Sequence, residues 1–261
     1  MKRSNKFIAL GLVLSLVFLL FACGLGGDGE RKLAKDGKLT MATNAQFPPY
    51  EFYDDDGKIT GIDVEIMTLI AKELGLELVI EDMEFDSIIE AVPSGKADVG
   101  AAGMTVTPDR LKSLDFTTSY TKSNQAIITK IDSAIKGPDD LNGKKVGVQL
   151  GTTGDIYLSD DIDDGVYKDL KLERYQNGIE AVQALIAGKI DAVVIDKEPA
   201  KVFVAQNKGL HILSAEYTQE DYAIAVAKGN KALLNAINKA LDKLIQDGKI
   251  QEIIDKYISA D

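Results

Sequence analysis

The chain has 261 residues, with 30 Lys and Arg against 41 Asp and Glu, a formal net charge of −11. So acidic a chain offers no basic stripe and repels phosphates, so no nucleic-acid partner is expected. A single cysteine, Cys23, excludes an intrachain disulfide, and a single histidine, His211, leaves little for metal ligation or a Ser/His/Asp set. Gly151-Thr152-Thr153-Gly154 lacks the lysine of a phosphate-binding loop. Neither metal nor cofactor is therefore expected.

The first six residues are basic (Lys2, Arg3, Lys6), and Phe7 to Ala22 is an almost unbroken apolar run ending at Cys23. Residues 1–22 thus read as a secretory signal peptide, too short and wrongly flanked for a membrane span. Leu20-Phe21-Ala22-Cys23 resembles the lipobox of bacterial lipoproteins. That resemblance implies acylation of Cys23 and a lipid anchor, with residues 23–32, rich in glycine, as a flexible tether. Loss of the leader's three cations takes the net charge to about −14. An exported protein is expected, held at the outer face of the cytoplasmic membrane or in the periplasm.

From Lys38 onward, short β runs alternate with amphipathic segments, which argues for α/β layering. Lys38 to Thr43 reads as a strand. Apolar residues at 62, 66, 67, 69, 70 and 74 give Ile62 to Leu74 a helical face that Gly75 ends. Leu76 to Ile80 is the next strand, Asp86 to Val92 a helix distorted near its end by Pro93, and Ala97 to Ala102 a strand. Then comes Gly103-Met104-Thr105-Val106-Thr107-Pro108-Asp109-Arg110. Thr107 reads as an N-cap, Pro108 as the first helical position and Arg110 as part of the first turn. Backbone N–H groups, two hydroxyls and a guanidinium would converge there, a cradle suited to a carboxylate.

A second series follows Lys130. Lys145 to Gln149 is a strand, Gly151 to Thr153 a turn and Gly154 to Leu158 the start of a helix. The acidic run Ser159 to Asp164 reads as a loop, and Asp54 to Asp56 as a hairpin turn; neither has the spacing of an EF-hand. Leu172 to Tyr175 is a strand, Ile179 to Ala187 a helix and Ile190 to Ile195 a strand. Ser94-Gly95-Lys96-Ala97-Asp98 is echoed by Ala187-Gly188-Lys189-Ile190-Asp191, which suggests two lobes of similar build, with Asp98 and Asp191 as boundary residues. Tyr222 to Ala227 reads as a strand, followed by helices around Leu233 to Gln246 and Ile250 to Tyr257. The division expected is one lobe from 33–125 plus 222–261, a second from 131–217, and a hinge at 126–130 and 218–221.

In open α/β sheets ligands sit beyond the carboxyl ends of the strands, so the cleft between the lobes is the expected site. This places Asn44, Phe47, Phe85, Gly103, Met104, Thr105 and Arg110 on one side, and Gln149, Thr152, Thr153 and Asp196 on the other. Read singly, Asp196 could equally cap a helix, Phe47 and Phe85 could be core, and Thr152 and Thr153 could cap the next helix.

Taken together, Phe47-Pro48-Pro49-Tyr50-Glu51-Phe52, Gly61-Ile62-Asp63-Val64-Glu65, the Gly103 to Arg110 segment and Leu114-Asp115-Phe116 resemble the bacterial solute-binding proteins, family 3, that serve ABC importers. Gly143 to Gln149, Gly151-Thr152-Thr153 and Ile190 to Val193 followed by Asp196 extend the resemblance over nearly all of the mature chain. It implies a two-lobed periplasmic-binding-protein-like fold of type II, with discontinuous lobes, a two-strand hinge and the ligand cleft between them. It implies a free L-amino acid as ligand, an ABC permease as partner, and a monomer. Arg110 would take the α-carboxylate, aided by Thr105, Thr153 and the Gly103 region, and Asp196 the α-ammonium. Phe47 and Phe85 would sandwich the side chain, and Asn44 and Gln149 would read its far end. Cation-binding members often carry an acid where this chain has Asn44; Glu84 could compensate. A basic or amide side chain is expected. The rival readings are a cyclohexadienyl-dehydratase-like enzyme on the same fold, with a carboxylate such as Glu198 doing acid chemistry, and a sensory ligand-binding protein.

Overall fold

The structure is a computed structural model, and it describes residues 32–214 and 218–258. The expected signal peptide, the lipid attachment at Cys23 and nearly all of the tether lie outside the described residues. Among the described residues no helix is long and apolar enough to cross a membrane.

Two α/β lobes make up the described chain. The first opens with β1 (Lys38–Thr43) and a small meander of β2 (Gln46–Phe47), β3 (Glu51–Tyr53) and β4 (Ile59–Thr60). It continues through α1 (Ile62–Leu74), β5 (Glu77–Asp82), α2 (Phe85–Ala91), β6 (Val99–Gly100) and β7 (Leu114–Phe116). The chain then leaves along β8 (Thr121–Lys130). The second lobe comprises β9 (Lys145–Gln149), α3 (Thr153–Asp163), β10 (Lys171–Tyr175), α4 (Gly178–Ile186), β11 (Ala192–Asp196), α5 (Lys197–Gln206) and β12 (Leu210–Ile212). The return is β13 (Gln219–Tyr222), after which β14 (Ala225–Ala227), α6 (Lys231–Gln246) and α7 (Lys249–Tyr257) complete the first lobe. The first sheet has the order β5-β1-β6-β14-β7 and the second β10-β9-β11-β8-β12.

The sequence dictates much of this locally. Ile62, Ile66, Met67 and Ile70 put one face of α1 into the core, and Gly75, in the left-handed region, ends the helix with its N–H on Ala71 O and Lys72 O. At the other end Gly61 has φ +127°, and a Cβ there would lie 2.2 Å from Tyr50 O. Only glycine lets the chain turn so close that Ile62 N and Asp63 N reach Pro49 O and Tyr50 O. That turn fixes the meander against α1.

The repeated Gly-Lys-x-Asp segments occupy equivalent places. Asp98 exchanges hydrogen bonds with Thr40 on β1, its N–H donating to Thr40 O and its Oδ2 accepting from Thr40 N at 2.7 Å. Asp191 does the same with Lys145 on β9, where Oδ2 accepts from Lys145 N at 2.8 Å. Each aspartate thus clamps its segment to the neighbouring strand's backbone.

Several sequence expectations are corrected. The strand expected over Leu76 to Ile80 lies two residues further on at its far end, because parallel pairing with β1 runs from Lys38↔Glu77 to Thr43↔Asp82. The Ala97 to Ala102 strand shrinks to Val99–Gly100, and the Tyr222 to Ala227 run is split at Ala223–Ile224, where the chain passes from one ladder to the next. Ser159 to Asp163 is helix rather than loop. Leu158 and Ile162 pack into the second lobe's core there, and Asp155 holds Arg174 at 2.8 Å. The hinge also moves. Thr121 to Asn124 pairs with Gln219 to Tyr222 in a ribbon between the lobes, whereas Gln125 to Ile128 already pairs with β11. The apolar run Ala126-Ile127-Ile128 is fully buried in the second sheet, so 126–130 belongs to that lobe.

Candidate functional site

The Gly103 to Arg110 segment does not open an α-helix. Only Arg110–Lys112 is helical, a single 3-10 turn, so this segment brings no α-helix N-terminus to the cleft. Asp109, not Thr107, takes its N-cap position, without a side-chain cap, while Thr107 Oγ1 accepts from Arg110 N at 3.2 Å. What the turn supplies is a buried guanidinium. Arg110 Nη1 donates to Thr105 O at 2.7 Å, and Nη2 reaches across to Gly151 O of the second lobe at 3.0 Å. Its centre lies 5.2 Å from the centroid of the Phe85 ring, a cation–π contact. Burial presses the guanidinium pKa down, while Glu220 and Asp196 oppose that shift. Arginine stays charged through such a shift, so the cavity holds a fixed positive charge.

Around that charge lies a partly open cavity between the lobes, with about 290 Å³ of space between atoms when open solvent is counted. From the first lobe, Asn44, Phe47, Phe85, Gly103, Thr105 and Arg110 line it. From the second come Gln149, Thr152, Thr153 and Asp196. Ten of the eleven residues expected from sequence are therefore brought together. Met104 is not. Its side chain is fully buried in the first lobe's core, and its backbone O accepts from Ala223 N at 3.0 Å. Glu84 and Glu198, weighed from sequence, do not line the cavity either. His211 sits on β12, its Nδ1 3.4 Å from Thr129 Oγ1, away from the lining.

The capping alternatives for Asp196 and Thr152 fall away with the geometry, whereas Phe47 and Phe85 line the cavity and are buried in hydrophobic core as well. Asp196 precedes α5 but makes no side-chain capping bond. Instead it accepts from Ser123 Oγ at 3.2 Å and from the hydroxyl of Tyr222. Thr152 precedes α3 without capping it, and its hydroxyl donates to Gln149 O at 2.8 Å. Asn44 Nδ2 is held by Met83 O at 2.9 Å, which aims Oδ1 at Gln149 Nε2, 3.0 Å away. Gly103, at φ +53°, lies under Phe47; a Cβ there would come within 2.8 Å of the ring.

Sequence reasoning missed the acids behind the wall. Glu220, on β13, accepts from Thr105 Oγ1 at 3.0 Å and from Gln125 Nε2 at 3.2 Å, and Gln125 Nε2 also reaches Thr153 Oγ1 at 3.3 Å. Asp63 accepts from Gly103 N at 2.8 Å and from the Tyr120 hydroxyl with both oxygens, so it fixes the Gly103 loop from beneath. Burial pushes Asp63 up to about 6, and burial with neighbouring Glu220 pushes Asp196 up to about 8. Glu51, which lines the cavity, is raised well above the carboxylate range by burial and by Asp63 and Asp196. No sequence pattern marks Glu220, because it sits on a return strand whose partners are more than ninety residues away. Glu51 and Asp63 were within quoted motifs, but nothing in those motifs reveals that both carboxyls point inward.

A cavity with one fixed guanidinium and a buried carboxyl facing it suits a small zwitterion. The sequence pattern of the bacterial extracellular solute-binding proteins, family 3, matches residues 39–260. Among relatives, the L-cystine-binding protein TcyJ of Escherichia coli is 33% identical over 88% of this chain and 86% of its own length. An ancestral arginine-binding protein solved with arginine is 42% identical, covers 85% of this chain and 99% of its own, and superposes with a TM-score of 0.81. An ancestral arginine-binding protein bound to glutamine is 41% identical over 87% of this chain and 100% of its own, with a TM-score of 0.81. The ancestral amino-acid-binding protein AncCDT-1, described as a precursor of cyclohexadienyl dehydratase, is 33% identical over 85% of this chain and 95% of its own, with a TM-score of 0.77. Family pattern, relatives and two-lobed fold agree: the chain belongs to the bacterial extracellular solute-binding proteins, family 3.

Proposed function

We propose that this protein is the substrate receptor of an ABC importer, capturing a free polar L-amino acid in the interlobe cavity and delivering it to a membrane permease. A basic or glutamine-like side chain is favoured. The observation that carries this is that Arg110, on the first lobe, and Asp196, on the second, line one cavity. A zwitterion placed there gives its carboxylate to Arg110 and its ammonium to Asp196, so a ligand bridges the lobes. Thr105 and Thr153 add hydroxyls, and Phe47 and Phe85 supply apolar faces beside the amides of Asn44 and Gln149. Charge-assisted hydrogen bonds of this kind contribute roughly 1.5–3 kcal/mol each. Those of the second lobe are recruited only when the lobes meet, so occupancy favours closure about the Thr121–Asn124 and Gln219–Tyr222 ribbon. The closed shape is what a permease would read. The lipobox-like Leu20-Phe21-Ala22-Cys23 supports an acylated Cys23 as the anchor that keeps the receptor beside its permease.

A thermal-shift screen of the soluble chain from Leu33 against the twenty amino acids and prephenate tests the reading. A ligand that binds only the native state raises its apparent stability. A clear shift with arginine, lysine or glutamine is expected. Shifts with none of the amino acids, or turnover of prephenate, would overturn it.

A further inference from the structure

The hinge ribbon has a buried polar face. Along β8 and β13 burial alternates: Ser123, Gln125, Glu220 and Tyr222 are buried, whereas Lys122, Gln219 and Asp221 are exposed. Glu220 lies directly opposite Ser123 in the ladder, and side chains two apart on a strand share a face, so the four buried residues project inward together. Ser123 and Tyr222 hold Asp196 with their hydroxyls. Glu220 holds something else. Its Oε2 accepts from Thr105 Oγ1 of the first lobe at 3.0 Å and from Gln125 Nε2 at 3.2 Å. Gln125 Nε2 reaches on to Thr153 Oγ1 of the second lobe at 3.3 Å. The Tyr157 hydroxyl of α3 bonds the same Glu220 carboxyl. Both threonines line the cavity, but neither Glu220 nor Gln125 does.

A carboxylate accepts hydrogen bonds and has no proton to give. The Thr105 hydroxyl therefore commits its one proton to Glu220, and its oxygen meets the cavity only as an acceptor. The same argument fixes the Gln125 amide, whose NH2 rather than its oxygen has to face Glu220. That NH2 also donates to Thr153 Oγ1, which leaves the Thr153 proton free for the cavity. One hydroxyl of the cavity thus accepts and the other donates. We propose that Glu220 is a positioning residue of the binding site: from the hinge it sets which way the Thr105 and Thr153 hydroxyls carry their protons, and so which end of a zwitterion each one takes. The inference rests on the amino-acid reading of the cavity. Thr105 then joins Asp196 as an acceptor for the ammonium, and Thr153 joins Arg110 as a donor to the carboxylate. Gln125 and Glu220 sit on the two strands that join the lobes, so the same ribbon carries the bend and the polarity.

L-Arginine and 5-guanidinopentanoate, the same molecule without its α-ammonium, separate this role from a structural one. Calorimetric titration of the wild type and Glu220→Gln with both ligands is the experiment. An amide at position 220 donates as well as accepts, so the Thr105 proton is free to turn into the cavity. Arginine is expected to weaken at least about fivefold more than its analogue; a smaller difference overturns the proposal. Should Glu220→Gln fail to fold, Thr105→Val carries the test with the same pair. The acceptor is lost, and arginine is again expected to weaken at least about fivefold more than the analogue, a smaller difference again overturning the proposal. A wild type that binds glutamine in place of arginine is tested in the same way with glutamine and glutaramate. Wild-type affinity for either amino acid supports the receptor reading by itself, so a failed difference overturns this inference alone. A wild type that binds no amino acid overturns both.

Discussion

Gln149 Nε2 donates to Asn44 Oδ1 at 3.0 Å, so a side chain from the end of β9 in the second lobe is tied to one just beyond β1 in the first. Both also line the cavity, so this bond across the lobes borders it. Gln149→Ala removes one neutral hydrogen bond of about 1 kcal/mol, and affinity for the preferred amino acid is expected to fall about fivefold, mainly through faster dissociation. Stopped-flow displacement measures it. An unchanged off-rate would mean that the bond does not contribute to holding the lobes together.

Arg110→Ala removes the guanidinium that the carboxylate would meet. Two charge-assisted bonds of roughly 1.5–3 kcal/mol each correspond to a loss of at least about a hundredfold in affinity. Arg110→Lys keeps the charge but not the fork that reaches Thr105 O and Gly151 O together, so it should recover only part of the loss. Titration calorimetry distinguishes the three proteins, and circular dichroism should show the same fold. Full affinity in Arg110→Ala would refute the assigned carboxylate site.

Asp196, pushed up to about 8 by burial and by Glu220, holds a proton at neutral pH that it must lose to accept an ammonium. Affinity should therefore rise as pH climbs from 6 towards 8, by at most about tenfold per unit, and level off above. The sign for folding is opposite. The native state keeps a proton that the unfolded chain releases near pH 4, so this group's contribution to the ligand-free protein is largest in acid and declines up to pH 8. Asp196→Asn should flatten the affinity profile, with the part due to Glu51 and Asp63 remaining. A variant with the wild-type slope would show that other groups carry the proton.

Gly61→Ala tests the turn that sets the meander on α1. Its φ of +127° is costly for any residue with a Cβ, and the new atom would lie 2.2 Å from Tyr50 O. Urea unfolding should show a loss of at least about 3 kcal/mol, since the strain of the backbone adds to the clash. A loss under about 1 kcal/mol would mean that the turn relaxes freely.

Periodicity locates α1, α2, α4, α6 and α7 to within two residues, whereas α5 has no counterpart in the sequence reading. Helix α1 matches the expected Ile62 to Leu74, because its apolar spacing and terminal glycine act on the same stretch. The Gly-Lys-x-Asp echo was also legible, since a boundary aspartate bonds a backbone whatever the surrounding sequence. Reading failed where long-range packing decides. The acidic tail of α3 looks like a loop because aspartate and serine are poor helix formers, yet Leu158 and Ile162 need the helical turn to reach the core. The first hinge crossing lies earlier than the expected 126–130, because a continuous β run does not show where its partner changes from β13 to β11. The inward acids Glu51, Asp63 and Glu220 were hidden because a carboxylate in a sequence carries no sign of burial.

In the first sheet β14 lies between β6 and β7, although it is drawn from residues 225–227. A chain emerging from its amino end therefore makes β1, β5, β6 and β7 long before the strand that joins β7 to the other three. The first lobe cannot close its sheet until the whole second lobe has passed and the return strand has come back. The fold thus carries its own delay: the half that appears first is the last to have its sheet completed.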